Sequence, residues 1–163
     1  MRDRGSPFPP RGGREPPGLS PGYLRGGYFQ QDGKSVRREV IEEWAKEVAQ
    51  KPSRHKGGRG YIPVMAPGQL RRFYTRALYL QRISEKRPFE SLMSELDKFK
   101  PLAAYAVSKG VAPREFEEFM SRNMNLAVAD DTGKSFKEGF MEHFQCVVAY
   151  HYYFVKQKGG KAW

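Results

Sequence analysis

The chain is 163 residues long, 39% hydrophobic and 13% aromatic, and it carries 29 Lys/Arg against 18 Asp/Glu for a formal net charge of +11. That length suits one domain, and a remainder of about 130 residues, once an irregular N-terminal stretch is set aside, buries enough surface to be stable alone. A mean hydropathy of -0.73 and the lack of an apolar run near ~20 residues argue against a bilayer span. The basic N-terminus has no apolar segment behind it, which argues against a secretory signal, and the single Cys146 excludes an intrachain disulfide and a Cys-based zinc finger. The expected protein is soluble and cytoplasmic, with no membrane partner.

Residues 1–34 are rich in Arg, Gly, Pro and Ser, with Pro7, Pro9, Pro10, Pro16, Pro17 and Pro21 interleaved among glycines. Such a composition does not offset its own ordering entropy, so residues 1–34 read as a disordered tail and residues 35–163 as the single folded domain. Ser35 reads as the cap of a first helix with Val36, Val40, Ile41, Trp44, Ala45 and Val48 on its buried stripe, ended by Pro52. The glycines and prolines from Pro52 to Gly68 mark a long loop. Pro67 suits the first position of a second helix, because its missing N–H has no partner to lose there. In that helix Leu70, Phe73, Tyr74, Ala77, Leu78 and Gln81 share one face, Arg72, Arg76 and Tyr79 share the opposite one, and Arg71, Thr75 and Arg82 flank the latter.

Pro88 opens a third helix with Phe89, Leu92, Met93, Leu96 and Phe99 inward, and Pro101 breaks or kinks it. Leu102, Ala103, Tyr105, Ala106 and Val107 continue helically to Gly110, which suits a left-handed cap. Pro113 opens the next helix, with Glu115, Glu117 and Glu118 where the dipole favours negative charge, and Asp130-Asp131-Thr132-Gly133 forms a turn. Ser135 and Glu138 have capping-box spacing ahead of a last helix that carries Phe136, Phe140, His143, Phe144, Val147, Val148 and His151. The fold class expected is all-α, a compact bundle of five or six amphipathic helices with a disordered Arg/Gly/Pro-rich N-terminal tail.

Charge is distributed unevenly along this scaffold. Residues 1–47 carry nine Lys/Arg against seven Asp/Glu, and residues 85–163 carry twelve against eleven. Between them, Val48–Ser84 holds Lys51, Arg54, Lys56, Arg59, Arg71, Arg72, Arg76 and Arg82 with no acid at all. Clustered cations without interspersed carboxylates repel one another, a cost that a structural role does not explain, whereas binding a polyanion releases counterions and offsets it. The stretch therefore reads as a nucleic-acid backbone site, and within it the helical arginines hold a fixed register while Arg54, Lys56 and Arg59 sit on the loop.

The residue types that catalysis needs do not fall into a catalytic pattern. His143, Cys146 and His151 share a region of the last helix, but their spacing lacks a metal-ligand pattern and their neighbours are apolar, so the reading is structural. Asp130-Asp131 reads as a turn rather than a Mg2+ site. Gly57-Gly58-Arg59-Gly60 is not followed by the Lys-Ser/Thr of a phosphate-binding loop, and no nucleophile elbow is present. No enzyme, cofactor or metal is expected. A nuclease would require Asp130, Asp131 or His143 to be exposed and clustered. The alternative of a different class is a helical adaptor whose basic strip docks an acidic protein partner.

Three segments carry a family resemblance: Gln69-Leu70-Arg71-Arg72-Phe73-Tyr74, Leu-Asp-Lys-Phe-Lys-Pro-Leu-Ala-Ala-Tyr-Ala within Phe89–Tyr105 and beyond, and Val-Val-Ala-Tyr-His-Tyr-Tyr at 147–153. Together they resemble the small helical subunit of type III-A (Csm-type) CRISPR RNA-guided effector complexes, over roughly residues 36–155. That resemblance implies a non-catalytic subunit present in more than one copy, which stacks along the groove of a filament and follows the RNA backbone without reading sequence. It implies guide RNA and target RNA, the backbone and large subunits of the complex, and further copies of itself as partners. By position it implies Arg71, Arg72, Arg76 and Lys100 as the RNA-facing groups.

Overall fold

Where apolar residues recur at three- and four-residue spacing, the chain is helical. The structure, a computed structural model, describes residues 18–50 and 65–157. In chain order the helices are α1 (Arg38–Ile41), α2 (Glu43–Gln50), α3 (Pro67–Ser84), α4 (Met93–Asp97), α5 (Phe99–Ser108), α6 (Arg114–Ala129) and α7 (Met141–Gln157). A 3-10 turn, Phe89–Leu92, leads into α4, and a π turn, Ser135–Phe140, leads into α7. Counted as continuous rods, with α1 joined to α2 and α4 to α5, this is the expected all-α bundle. The one strand-like feature among the described residues is an isolated antiparallel bridge between Phe29 and Val36. No helix among them is long and apolar enough to cross a membrane.

The core is aromatic. Phe99, Phe116, Phe119, Phe136, Phe140 and Phe144 are all fully buried, each burial stabilising the fold by about 1.5–3 kcal/mol. Phe119 meets Phe144 edge-on at 5.4 Å, and Phe140 lies 5.3 Å from Phe144. Helix α7 runs through this cluster with α2 and α3 packed against it, while α5 packs on α6.

Two prolines and a glycine act where the sequence places them. Pro67 is the first residue of α3. Pro101 lies inside α5, and the break falls between Asp97 and Phe99, because the proline has no N–H for the Asp97 carbonyl four residues back. Gly110 (φ 72) ends α5 in a Schellman arrangement, its N–H donating to Val107 O at 2.9 Å and the Val111 N–H to Ala106 O at 3.0 Å.

Two capping expectations are corrected. Ser35 does not cap α1: its N–H and hydroxyl donate to Asp32 in a tight turn, and Arg37 occupies the cap position without a side-chain bond. The Ser135/Glu138 capping box does not form either, because residues 135–140 are already wound into the π turn. Asp130 does the capping instead, accepting from the Ser135 N–H at 2.9 Å and from the Thr132 N–H and hydroxyl. Burial alone would raise the Asp130 pKa, but these bonds hold its carboxyl down at about 2.

The expected tail boundary at residue 34 is also corrected. Residues 1–17 lie outside the described residues, but residues 18–34 are packed as a strap across the bundle. Leu19, Tyr23, Leu24 and Tyr28 are buried among the helices. The Leu19 N–H donates to Glu118 at 3.0 Å, and the Ser20 hydroxyl donates to Glu47 at 2.9 Å. Deeper down, the strap enters a buried polar chain. His143 Nδ1 donates to the Val40 carbonyl at 2.7 Å, so Nε2 is the acceptor for the Tyr23 hydroxyl at 2.8 Å. The Asn123 amide donates to Tyr23 Oη at 2.9 Å and to Phe119 O at 2.7 Å, and its carbonyl oxygen accepts from the Tyr28 hydroxyl at 2.6 Å. Burial pushes both phenol pKa values well up and brings the His143 imidazole down to about 4, so every member is neutral near pH 7.

Tyr28 also explains a glycine inside the π turn. A Cβ on Gly139 would lie 2.5 Å from the Tyr28 ring, and the ring has no room to retreat because Asn123 holds its hydroxyl. Gly139→Ala is expected to destabilise the fold by about 1–3 kcal/mol from overpacking, against a helical gain of ~0.5–1 kcal/mol. Tyr28→Phe is expected to cost about 1–3 kcal/mol by leaving Asn123 Oδ1 buried without a donor. Urea denaturation of each variant beside the parent measures both.

A pH dependence follows from the two buried histidines. His143 and His151 titrate near 6.5 when unfolded, whereas burial lowers each to about 4 in the folded protein, the Val40 and Met65 backbone bonds opposing the drop. The unfolded chain therefore takes up protons first. Stability is full above about pH 6.5 and falls as pH drops towards 4, by on the order of 3 kcal/mol per histidine. Urea midpoints between pH 7 and pH 4 are expected to decline through this window; a flat series would contradict the neutral buried state.

Candidate nucleic-acid interface

Helix α3 carries the helical half of the basic stretch, and its inward face explains why its outward face is fixed. Leu70, Phe73, Ala77, Leu80 and Ser84 are buried. Phe73 meets Phe116 edge-on at 4.8 Å, Tyr74 meets Phe144 at 5.3 Å, and Gln81 Nε2 donates to the Lys137 carbonyl at 2.8 Å. With both ends of the inward face held, rotation about the helix axis would break ring contacts in the core. Arg71, Arg72, Thr75, Tyr79 and Arg82 are thereby presented to solvent, with Tyr79 62% exposed. No acidic residue occupies the first turn of α3, and Arg82 lies in its last turn, where a cation suits the helix dipole.

Arg76 behaves differently from its neighbours. It is half-buried, its Nη2 lies 3.3 Å from Glu95 Oε2 in α4, and its guanidinium lies 5.8 Å from the Phe99 ring centroid. Its Nε–H is buried with no hydrogen-bond partner. Glu95 is shared with Lys98 at 2.5 Å, and that bond, with the nearby Arg76 charge, holds its carboxyl below the usual range. The absence of acids along Val48–Ser84 is thus a property of the sequence alone, and in space a carboxylate from α4 partly offsets Arg76. Among the described residues Arg72 and Arg82 have no acidic partner within ion-pair distance, so their charges are not offset within the fold.

The other expected residues are dispersed. Lys100 is half-buried, pairs with Asp97 at 3.3 Å, and is not among the residues lining the groove beside α3. Arg54, Lys56 and Arg59, with Lys51, lie outside the described residues. The groove itself lies between α3 and α5 and has a volume of about 510 Å3. Arg72, Arg76 and Gln69 line it from α3, and Leu102, Tyr105 and Lys109 line it from α5 and its cap, with Val111 beyond. Lys109 Nζ stands 4.9 Å from the Tyr105 ring centroid. No carboxylate lines it.

Tyr105 and Lys109 were not singled out from the sequence, although a signal exists. Phe99, Ala103 and Ala106 are the buried positions of α5, which leaves Leu102, Tyr105 and Lys109, at spacings of three and four, on a separate stripe. The residues a nuclease would need are not brought together: His143 is wholly buried, Asp130 is engaged in its turn, and Asp131 is exposed beside it. Among the described residues no group of three or more His, Cys, Asp or Glu is placed to hold a metal.

No curated protein matches the chain, and no solved structure does. A family model described as Csm2 Type III-A matches residues 42–157, a span that takes in α2 to α7, the basic face of α3 and the groove beside it. With more than half of its length covered by that model, the chain belongs to the Csm2 family of type III-A CRISPR systems.

Proposed function

We propose that this chain is a non-catalytic, RNA-binding structural subunit that follows the RNA backbone through the outer face of α3. Family membership makes it a structural subunit of the type III-A CRISPR effector complex. The reading adds guide and target RNA as ligands, the backbone and large subunits as protein partners, self-association along the filament, and the cytoplasm as the compartment. The observation that carries it is the fixed presentation of Arg71, Arg72 and Arg82 on an exposed face whose opposite side is locked by Phe73 and Gln81. Contacts of this kind engage phosphates without reading bases, so guide pairing would supply the sequence specificity.

Arg71→Ala combined with Arg72→Ala leaves the core untouched, since both side chains are exposed. It is expected to weaken single-stranded and guide–target RNA binding to a similar degree for unrelated sequences. The slope of log affinity against log salt should flatten by about 1.4, two phosphate contacts at roughly 0.7 each. Filter binding or fluorescence anisotropy across a salt series measures this, and an unchanged affinity with an unchanged slope overturns the proposal.

A further inference from the structure

A site that only followed a phosphate backbone would need cations on a solvated face and nothing else. The groove between α3 and α5 holds more. Of the five large hydrophobic side chains left exposed among the described residues, three line it: Tyr105 at 59%, Val111 at 41% and Leu102 at 37%. Solvent exposure of a clustered ring and two aliphatic chains is unfavourable in the free protein, and clustering of that kind marks a contact surface. Arg72, Arg76 and Lys109 surround them with no carboxylate in the lining. An apolar cluster with an exposed ring and a surround of cations together call for a ligand that is planar at one end and anionic at the other.

We infer that this groove seats one unstacked nucleotide of single-stranded RNA, its base against the Tyr105 ring and its phosphate between Arg72 and Lys109. The inference rests on the RNA-binding reading above and deepens it. The volume of about 510 Å3 lies within the usual range for small-molecule sites, which suits a single nucleotide. Gln69 is the one side-chain amide in the lining, so the site offers little hydrogen-bond discrimination among bases, and stacking accepts any of them. In the free protein the Lys109 ammonium lies over Tyr105. Lys109 is exposed and flexible enough to leave the ring for the phosphate as the base arrives. A base held inside a duplex stack has no access to the ring, so the groove distinguishes single-stranded from paired RNA, which the outer face of α3 does not.

The test uses the full chain and single-stranded RNA of mixed sequence containing 2-aminopurine, with the same strand annealed to its complement as the second ligand. Tyr105→Ala alters an exposed side chain, and unchanged circular dichroism would verify that the bundle is intact. The expected result is quenching of 2-aminopurine on binding and loss of that quenching in Tyr105→Ala. Affinity for the single strand should fall about tenfold with the salt slope unchanged, and Tyr105→Trp should restore it. Duplex affinity should not change. If Tyr105→Ala binds the single strand as the parent does while the Arg71/Arg72 double variant is weakened, the nucleotide seat is overturned and backbone binding stands. If the parent binds no RNA even at low salt, both fall. If poly-glutamate displaces RNA and its own binding depends on Tyr105, the groove belongs to an acidic protein segment and the inference is overturned.

Discussion

A neutral imidazole at the centre of the bundle fixes most of what surrounds it. Because His143 Nδ1 gives its proton to the Val40 carbonyl, Nε2 is an acceptor, and every later donor and acceptor in the chain follows from that choice. The Tyr23 hydroxyl must donate to it, the Asn123 amide must donate to Tyr23, and the Tyr28 hydroxyl must donate to the remaining Asn123 oxygen. A chain of this kind is unforgiving: with each polar atom satisfied it fixes one arrangement of four segments, and a single missing member leaves a buried group without a partner. It joins α1, α6 and α7 to a segment with no regular structure of its own. The aromatic cluster supplies the bulk of the burial, but nonpolar contacts alone would tolerate sliding that these hydrogen bonds do not.

The helices were legible because their signals are local. Pro67, Gly110 and the apolar spacing of α3 and α6 each decide the conformation of their own few residues, and the structure follows them. The strap was not legible for the opposite reason. Its glycines and Pro21 describe a segment with no preferred local conformation, while Tyr23 and Tyr28 order it through partners 95 to 120 residues away. Composition speaks to the cost of ordering a segment and is silent on distant compensation. The two misplaced caps share that origin on a smaller scale: Ser35 was engaged by Asp32, and Asp130 reached the last helix's start before Glu138 had a role.

The candidate site divides in the same way. Arg71, Arg72 and Arg82 could be placed outward from periodicity alone, since a helix with one apolar face has only one other to offer. The pairing of Arg76 with Glu95, and of Lys100 with Asp97, depends on how α4 approaches α3 and on the break opposite Pro101. The groove is a property of two helices together: the spacing of Leu102, Tyr105 and Lys109 shows an outward stripe, but only the fold shows that α3 faces it. A basic stretch in a sequence is therefore a statement about charge supply, and the fold determines which of those charges remain available to a ligand.

The family match begins at residue 42, so the strap lies outside the stretch that this chain shares with its family model. Its position has a consequence for synthesis. Tyr23 leaves the ribosome 120 residues ahead of the histidine that it must meet. At ordinary translation rates that is a wait of roughly 6–24 s with two tyrosines and two leucines exposed and no core to receive them. A segment dense in glycine, with charged Arg25, Asp32 and Lys34 among its apolar residues, resists premature helical or sheet pairing during that interval. The composition that made the strap look structureless keeps it available until the final helix emerges and the last hydrogen bond of the core can close.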